Sequence, residues 1–351
     1  MKMLRMLVLL CAATAALAIL PVSATPALRG GQHDFDYQFG TWHVHVRRLL
    51  HPRSGSTVWT NYDGTHVVTK VWNGRANLGV LEVDGRAGHI EGQSLRLYDP
   101  QAHQWIVSFA PSSTGTMGPP MVGAFDRGRG EFFNTETVDG RTVLSRSITS
   151  DITASSYRDE YALSSDGGKT WASNWIATYT RAASSDTPNV PSDTDASDPQ
   201  SHAFDFNFGT WRTNIHFLRF LPNGSTAWAA MVGTVAVRKI WGGRALMEEI
   251  KADGPAAHLK GLTMFLYNPQ THQWTQTFAG ADGSWEASMY GSFSNGRGVL
   301  VSQDQFNGKM ALIRGVWSNI TPNAHRFEEF YSHDAGGSWH LAFIGNLTRL
   351  R

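Results

Sequence analysis

"HDFDYQFGTW" (33–42) returns 169 residues later as "HAFDFNFGTW" (202–211). The same offset carries "WNGRA" (72–76) onto "WGGRA" (241–245), and "LYDPQAHQW" (97–105) onto "LYNPQTHQW" (266–274). Past a single deletion the offset is 168, and "GAFDRGRG" (123–130) matches "GSFSNGRG" (291–298). The collinear matches run the length of both halves, so the chain is one unit written twice. Solenoid repeats and propeller blades have periods of roughly 20–50 residues. A period this long makes each copy a whole domain of ordinary size, about 150 residues. The limits read as 33–181 and 201–351. Between them, "AASSDTPNVPSDTDASDPQ" (182–200) is rich in Ser, Asp, Pro and Thr, has no aromatic residue, and reads as a flexible linker.

Within each copy the periodicity is that of strands. "WHVHVRRLL" sets Trp42, Val44 and Val46 against His43, His45 and Arg47. "SLRLY" and "WIVSF" alternate as well, and "NPQTHQ", "DRGRG", "VDGR" and "DGGK" supply hairpin-turn chemistry between such runs. No window after the N-terminal segment holds an amphipathic helix. About ten short antiparallel strands per copy point to an all-β chain of closed barrels or sandwiches.

The first 24 residues stand apart. Lys2 and Arg5 precede an uncharged apolar run, Leu7 to Leu20, and Val22-x-Ala24 offers a small-x-small cleavage site. This is the pattern of a secretory signal peptide (1–24), so an exported protein is expected, with no integral membrane segment once the signal is removed. Cys11, the one cysteine, lies in that segment, which leaves no disulfide and no thiolate chemistry beyond it. A core must then come from burial alone, and 41% hydrophobic residues with 13 tryptophans suffice for one. Lys and Arg number 30 against 29 Asp and Glu, without long runs of one sign, which speaks against a nucleic-acid partner.

Residue types present in both copies serve something common to both. Gly40-Thr41-Trp42 and Gly209-Thr210-Trp211 open the first strand, and Thr180-Arg181 and Thr348-Arg349 end the last. This arrangement resembles the calycin superfamily of lipocalin-like barrels, which open with Gly-x-Trp and close with an arginine. The resemblance implies that Arg181 lies across Trp42 and Arg349 across Trp211, cation–π contacts of about 0.5–2 kcal/mol each. The ordered set "FDYQFGTW…LRLYDPQAHQW…GRGEFF…SSDGGKTWASNW" is similar to the DUF1579-type family, a calycin-like group without a settled activity. It covers most of 33–181, and 202–351 more loosely. The fold expected is therefore two tandem antiparallel calycin-like β-barrels after a signal peptide.

"SSDGGKTW" (164–171) has the spacing of the Asp-box of sialidase-type propellers, and "SHDAGGSW" (332–339) is its second copy. In such a hairpin the aspartate, here Asp166 or Asp334, bonds backbone amides, and the tryptophan, Trp171 or Trp339, tucks the turn onto the sheet. That is architecture rather than catalysis, and the arginine cluster and nucleophile of a sialidase cannot be assembled here.

Three histidine pairs recur: His33/His202, His89/His258 and His103/His272. His89 and His258 precede the "LRLY" and "MFLY" strands and are the pair expected nearest a barrel mouth. There they are solvated or core histidines, or else ligand contacts, including, as the calycin resemblance allows through nitrobindin-like barrels, axial haem ligands; otherwise no cofactor is expected. His43 and His45 look like a metal pair, but the second copy has Arg212 and Asn214 there and no third ligand is near. Arg158 with Glu160, and Arg326 with Glu328, sit at i, i+2 and share a strand face. They are outward ion pairs or an inward pair gripping a polar group. Trp72 with Arg75, and Trp241 with Arg244, either pack a hairpin or form a mouth loop that recognises an anion. Asp36 and Asp205 read as turn caps.

No motif names a reaction. A small apolar or amphipathic ligand inside one or both barrels is the expected function. The alternatives are an isomerase or hydratase using His89/Glu160 or His258/Glu328, and partner or glycan binding by an outer aromatic surface.

Overall fold

The computed structural model describes residues 31–51, 56–183 and 198–350. The segment read as a signal peptide lies outside the described residues, as does most of the 182–200 linker.

Twenty strands form two closed antiparallel barrels of ten strands each. The first comprises β1 (Gly40–Leu49), β2 (Trp59–Val71), β3 (Ala76–Gly85), β4 (Gly88–Asp99), β5 (Gln104–Pro111), β6 (Met121–Asp126), β7 (Arg129–Val138), β8 (Arg141–Ser150), β9 (Ser156–Ser164) and β10 (Ala172–Arg181). The second comprises β11 (Gly209–Phe220), β12 (Thr226–Ile240), β13 (Ala245–Gly254), β14 (Ala257–Asn268), β15 (Gln273–Gly280), β16 (Met289–Ser294), β17 (Arg297–Phe306), β18 (Lys309–Ser318), β19 (Ala324–Ser332) and β20 (His340–Arg349). Each strand pairs with its sequence neighbours, and β1 closes on β10 as β11 closes on β20. Full closure leaves no sheet edge to pair with another chain.

Register settles which face is inside. Trp42 stands opposite His66 and Arg181, Val44 opposite Gly64 and Tyr179, and Val46 opposite Tyr62 and Ala177. The alternation in "WHVHV" therefore turns Trp42, Val44 and Val46 inward. A short 3-10 turn ahead of β1 drives Phe35 into the barrel end, edge-on to Trp105 at 4.8 Å. Phe204 does the same against Trp274 at 5.0 Å.

An arginine fastens each of these plugs. The Arg181 guanidinium lies 4.1 Å from the Trp42 ring centroid, and that of Arg349 lies 4.0 Å from Trp211. Arg181 donates to the carbonyls of Tyr37 (2.7 Å), Phe39 (2.9 Å) and Ala154 (2.8 Å). Arg349 donates to Phe206, Phe208 and Pro322. At the Asp-boxes, Asp166 accepts from the amides of Lys169 and Thr170, both at 3.0 Å, and Asp334 accepts from the Ser338 amide at 2.8 Å. Trp171 then lies under Arg146, and Trp339 under Arg314.

The barrels pack on each other through outer faces. Ala76, Leu78, Leu95, Leu97 and Ala110 form one buried apolar cluster with Ala245, Met247, Leu262, Met264 and Ala279 of the second barrel. The strands β3–β5 and β13–β15 are thus covered on both sides, which explains near-continuous apolar runs such as "ALM" and "TMFLY". The β5–β6 loop reaches across the seam, where the Gly115 carbonyl accepts from Thr275 Oγ1 at 3.0 Å. Gly115 has φ +50°, and a Cβ there would collide with the Tyr267 carbonyl. Arg244 reaches back to Glu91 at 2.9 Å, and that carboxyl is only 3% exposed.

Removing one partner of a buried ion pair strands the other charge, at a cost of about 3–5 kcal/mol. Arg244→Met should lower urea-unfolding stability by that order, and adding Glu91→Leu should restore most of it. Equal losses in single and double variants would show that the loss does not come from a stranded charge.

Candidate functional site

The two interiors differ although the frames match. The first barrel encloses a cavity of about 720 Å³ and the second one of about 280 Å³. At ten strands a barrel is wide enough to leave an interior space, and the side chains decide how much of it remains.

In the first barrel a polar layer lies above the Trp42 plug. His66 on β2 is buried, and its Nδ1 sits 3.1 Å from the Tyr157 hydroxyl. Burial, with the Arg96 charge beside it, pushes the imidazole down to about 3, so it is neutral at physiological pH. Arg96 on β4 is 6% exposed, donates to Asn77 Oδ1 at 3.1 Å and lies over the Phe35 ring. Asp159 on β9 accepts from Thr149 Oγ1 at 2.5 Å. Its burial raises the carboxyl, while the Thr149 bond, Arg96 and the Tyr179 hydroxyl hold it down in part. Tyr157 and Tyr179 stack face to face at 4.1 Å. Gly79 keeps this layer open, since a Cβ there would collide with His66 Nε2 and lie 3.1 Å from Arg96 Nη1. Leu81, Val107, Phe109, Pro119, Met121 and Trp175 form apolar walls above it.

The second copy replaces this layer almost completely. The positions of Tyr37, His66, Asn77, Arg96, Thr149, Asp159 and Tyr179 hold Phe206, Val235, Leu246, Phe265, Trp317, Phe327 and Leu347. Gly79 becomes Glu248 and Gly118 becomes Glu286. Glu248, Glu286, Trp317 and Phe327, each larger than its counterpart, narrow the second cavity. Its polar groups are three carboxyls, together with His325, Gln276 and the two threonines Thr213 and Thr263. Glu248 accepts from Asn207 Nδ2 at 3.3 Å and Thr263 Oγ1 at 3.2 Å, yet burial still raises its carboxyl. Glu286, exposed to solvent over part of its surface, is pushed up to about 8 by desolvation within the cavity and then by Glu329, Asp304 and Asp282. Glu329 is pushed up to about 7 by burial and by Asp304. His325, held between Trp211 and Phe206, is lowered to about 4 by burial and by Arg349.

The residues singled out in the sequence lie elsewhere. His89 is exposed and bonds Asp84 at 2.9 Å on the outer side of a hairpin, and His258 bonds Asp253 at 2.8 Å in the same way. Neither lines a cavity described above. Arg158 pairs with Glu160 at 2.5 Å, and Arg326 with Glu328 at 2.8 Å. Burial raises the Glu160 carboxyl, but bonds from Ser173 and Arg158 outweigh it and hold it below the usual range. Of these four, Glu160 alone borders a cavity, at its wall. Trp72, Arg75, Trp241 and Arg244 sit at the seam between barrels rather than at a mouth. Both tryptophans join the shared apolar cluster, and Arg75 donates to the Ala281 carbonyl across it. His45 bonds Asp63 at 2.7 Å, His33 bonds Asp36 at 3.0 Å, and His202 bonds Asp205 at 3.1 Å. His103 bonds the Tyr98 hydroxyl. His272 pairs with Asp198 at 2.6 Å, the residue that caps the turn leading into the second domain. Among the described residues, no group of three or more His, Cys, Asp or Glu could hold a metal ion, and no helix is long and apolar enough to cross a membrane.

The polar floor escaped the sequence because its members are single-copy residues. Arg96 sits between Leu95 and Leu97, and that placement was the available signal; Asp159, between Arg158 and Glu160, gave none.

No family model matches the chain. No curated protein matches it either. Among solved structures, a protein of unknown function of the DUF3598 family from Nostoc punctiforme aligns over 92% of this chain and 100% of its own, at 9% identity. The TM-score is 0.26, a likeness too slight to carry an argument.

Opposite pH responses follow from the two interiors. Neutral burial of His66 makes the unfolded state the better proton binder between pH 6.5 and about 3. Stability should therefore fall with acidification across that window, and His66→Gln should flatten the fall in thermal melts. Glu286 has the reverse sign, because its folded carboxyl holds a proton between 4.5 and about 8. Glu286→Gln should raise the melting temperature at pH 8 and change it little near pH 5.

Proposed function

We propose that the first barrel binds a small amphipathic molecule, head down, within an exported protein of the DUF1579-type, calycin-like kind. The observation that carries the reading is the 720 Å³ cavity, with apolar walls over a floor of Arg96, His66, Asp159 and Tyr179. Ligand sites of roughly 300–1,000 Å³ lined by apolar groups with a few convergent polar ones are the ordinary form of small-molecule recognition. Arg96 supplies donors and Asp159 an acceptor, so the floor suits a carboxylate or hydroxyl head. The walls suit an alkyl or aromatic body. The expected export rests on the N-terminal pattern, and the likeness to ligand-enclosing calycins adds weight to the cavity.

The test is calorimetric titration of the full-length chain with dodecanoate and dodecanol. One of them should bind with a single site. Arg96→Met should weaken dodecanoate at least tenfold, and Ser147→Trp, which fills the cavity, should abolish binding of either. Full affinity in Ser147→Trp, or binding of neither ligand by the unmodified protein, would overturn the reading.

A further inference from the structure

We propose that the second barrel is a separate site for a small organic cation, an aliphatic or aryl-alkyl ammonium, held between Glu286 and Glu329 against an aromatic wall. The proposal does not rest on the first-barrel reading. It concerns a different cavity, one whose charged lining residues are carboxyls without an arginine among them.

The chemistry of the lining carries the argument. Phe265, Phe278, Trp317, Phe327 and Phe343 all line the cavity. Aromatic faces attract cations through their quadrupole, and the attraction grows when the site is dry. The charged side chains of the lining are all carboxyls: Glu248, Glu286 and Glu329. Among the described residues no Lys or Arg lines this cavity, and Arg349, whose charge acts on His325, lies over Trp211. His325 is neutral at physiological pH. Carboxyls crowded at one cavity without a counter-cation are costly to keep ionised together, and a bound ammonium would supply the missing charge.

A second observation is independent of the acidic groups. His325 is 4% exposed, lines the cavity, and its Nδ1 has no hydrogen-bond partner among the described residues. Gln276, also on the wall, leaves its Oε1 unpaired in the same sense. Buried polar atoms are nearly always satisfied, so such orphans point to a group that completes them. Both can accept from an ammonium or a ligand hydroxyl.

The position of Glu286 is built. It sits in the β15–β16 loop, whose backbone is tied down by Glu286 N–H to the Phe278 carbonyl at 3.0 Å and by Ala287 N–H to Asp304 at 2.9 Å. In the first barrel the matching bond, to the Phe109 carbonyl, comes from Gly118. The same loop frame therefore presents a carboxyl in one copy and no side chain in the other. Glu329 comes in at a β-bulge, where the register between β19 and β20 shifts after it. Bulges re-aim side chains and recur next to functional sites. A volume of about 280 Å³ suits one ring with a short aminoalkyl arm, or a compact quaternary ammonium, and excludes a long chain.

The carboxyls also give the site a pH signature. Desolvation first, and then the charges of Glu329, Asp304 and Asp282 on Glu286 and of Asp304 on Glu329, favour the protonated forms. A cation must displace those protons. Affinity should therefore rise between pH 6 and 8.5, and binding near neutrality should release protons.

The probes are 2-phenylethylammonium and benzyltrimethylammonium chloride, titrated into the full-length chain by calorimetry in buffers of different ionisation enthalpy. 3-Phenylpropanol and 3-phenylpropanoate are the neutral and anionic controls. At least one cation should bind tenfold or more tighter than both controls, with proton release. Glu286→Gln and Glu329→Gln should each weaken it at least tenfold while melting no lower than the unmodified protein at pH 8. Ser147→Trp, which blocks only the first barrel, should leave it unchanged. Binding of neither cation, equal binding of a control, or cation binding that survives both glutamine variants would overturn the proposal. Loss of binding in Ser147→Trp would do so too, by moving the site to the first barrel.

Discussion

Everything else in each barrel depends on one arginine at the end of the last strand. Closing a ten-stranded sheet brings the first and last strands together, and the plug beneath them leaves carbonyls with no sheet partner. Arg181 and Arg349 answer both demands. Each lies flat on the tryptophan of the first strand and donates to carbonyls of the plug. A planar guanidinium with five donors can stack and bond at once, which a lysine cannot do. With that end shut, any ligand must enter from the other.

The seam is the second constraint. Its residues keep their type between copies: Leu78 with Met247, Leu95 with Met264, Leu97 with Leu266, and Ala110 with Ala279. An apolar face must find cover, and each copy supplies it to the other. The interior obeys no such rule. Once the frame is fixed by plug, hairpins and seam, inward side chains are free to diverge, and they have. One barrel holds Arg96 and a neutral His66, and the other holds Glu286 and Glu329 in aromatic surroundings. Duplication has produced two cavities with different polar linings on one scaffold. The loops link them as well, because the loop that presents Glu286 also carries Ala281, whose carbonyl takes a bond from Arg75 of the first barrel.

The sequence by itself determined the duplication, the all-β class and the hairpin chemistry. It did so because a period of two and turn residues at fixed offsets are local properties. Gly-Thr-Trp and the terminal Thr-Arg were readable for the same reason: both copies repeat them. Filtering for shared residues then favoured architecture over chemistry. It singled out Trp72, Arg75, Trp241 and Arg244, which belong to the seam, and His89 and His258, which bond aspartates on outer hairpins. It passed over His66, Arg96, Asp159, Glu286 and Glu329, each present in one copy alone. Only the tertiary structure decided which face of each strand encloses space and which meets the other barrel. Strands buried on both sides lose the alternation that would distinguish the two. Cavity size was equally out of reach, since it depends on residues such as Gly79, Thr149 and their counterparts Glu248 and Trp317, which are distant in sequence and meet only when the barrel closes.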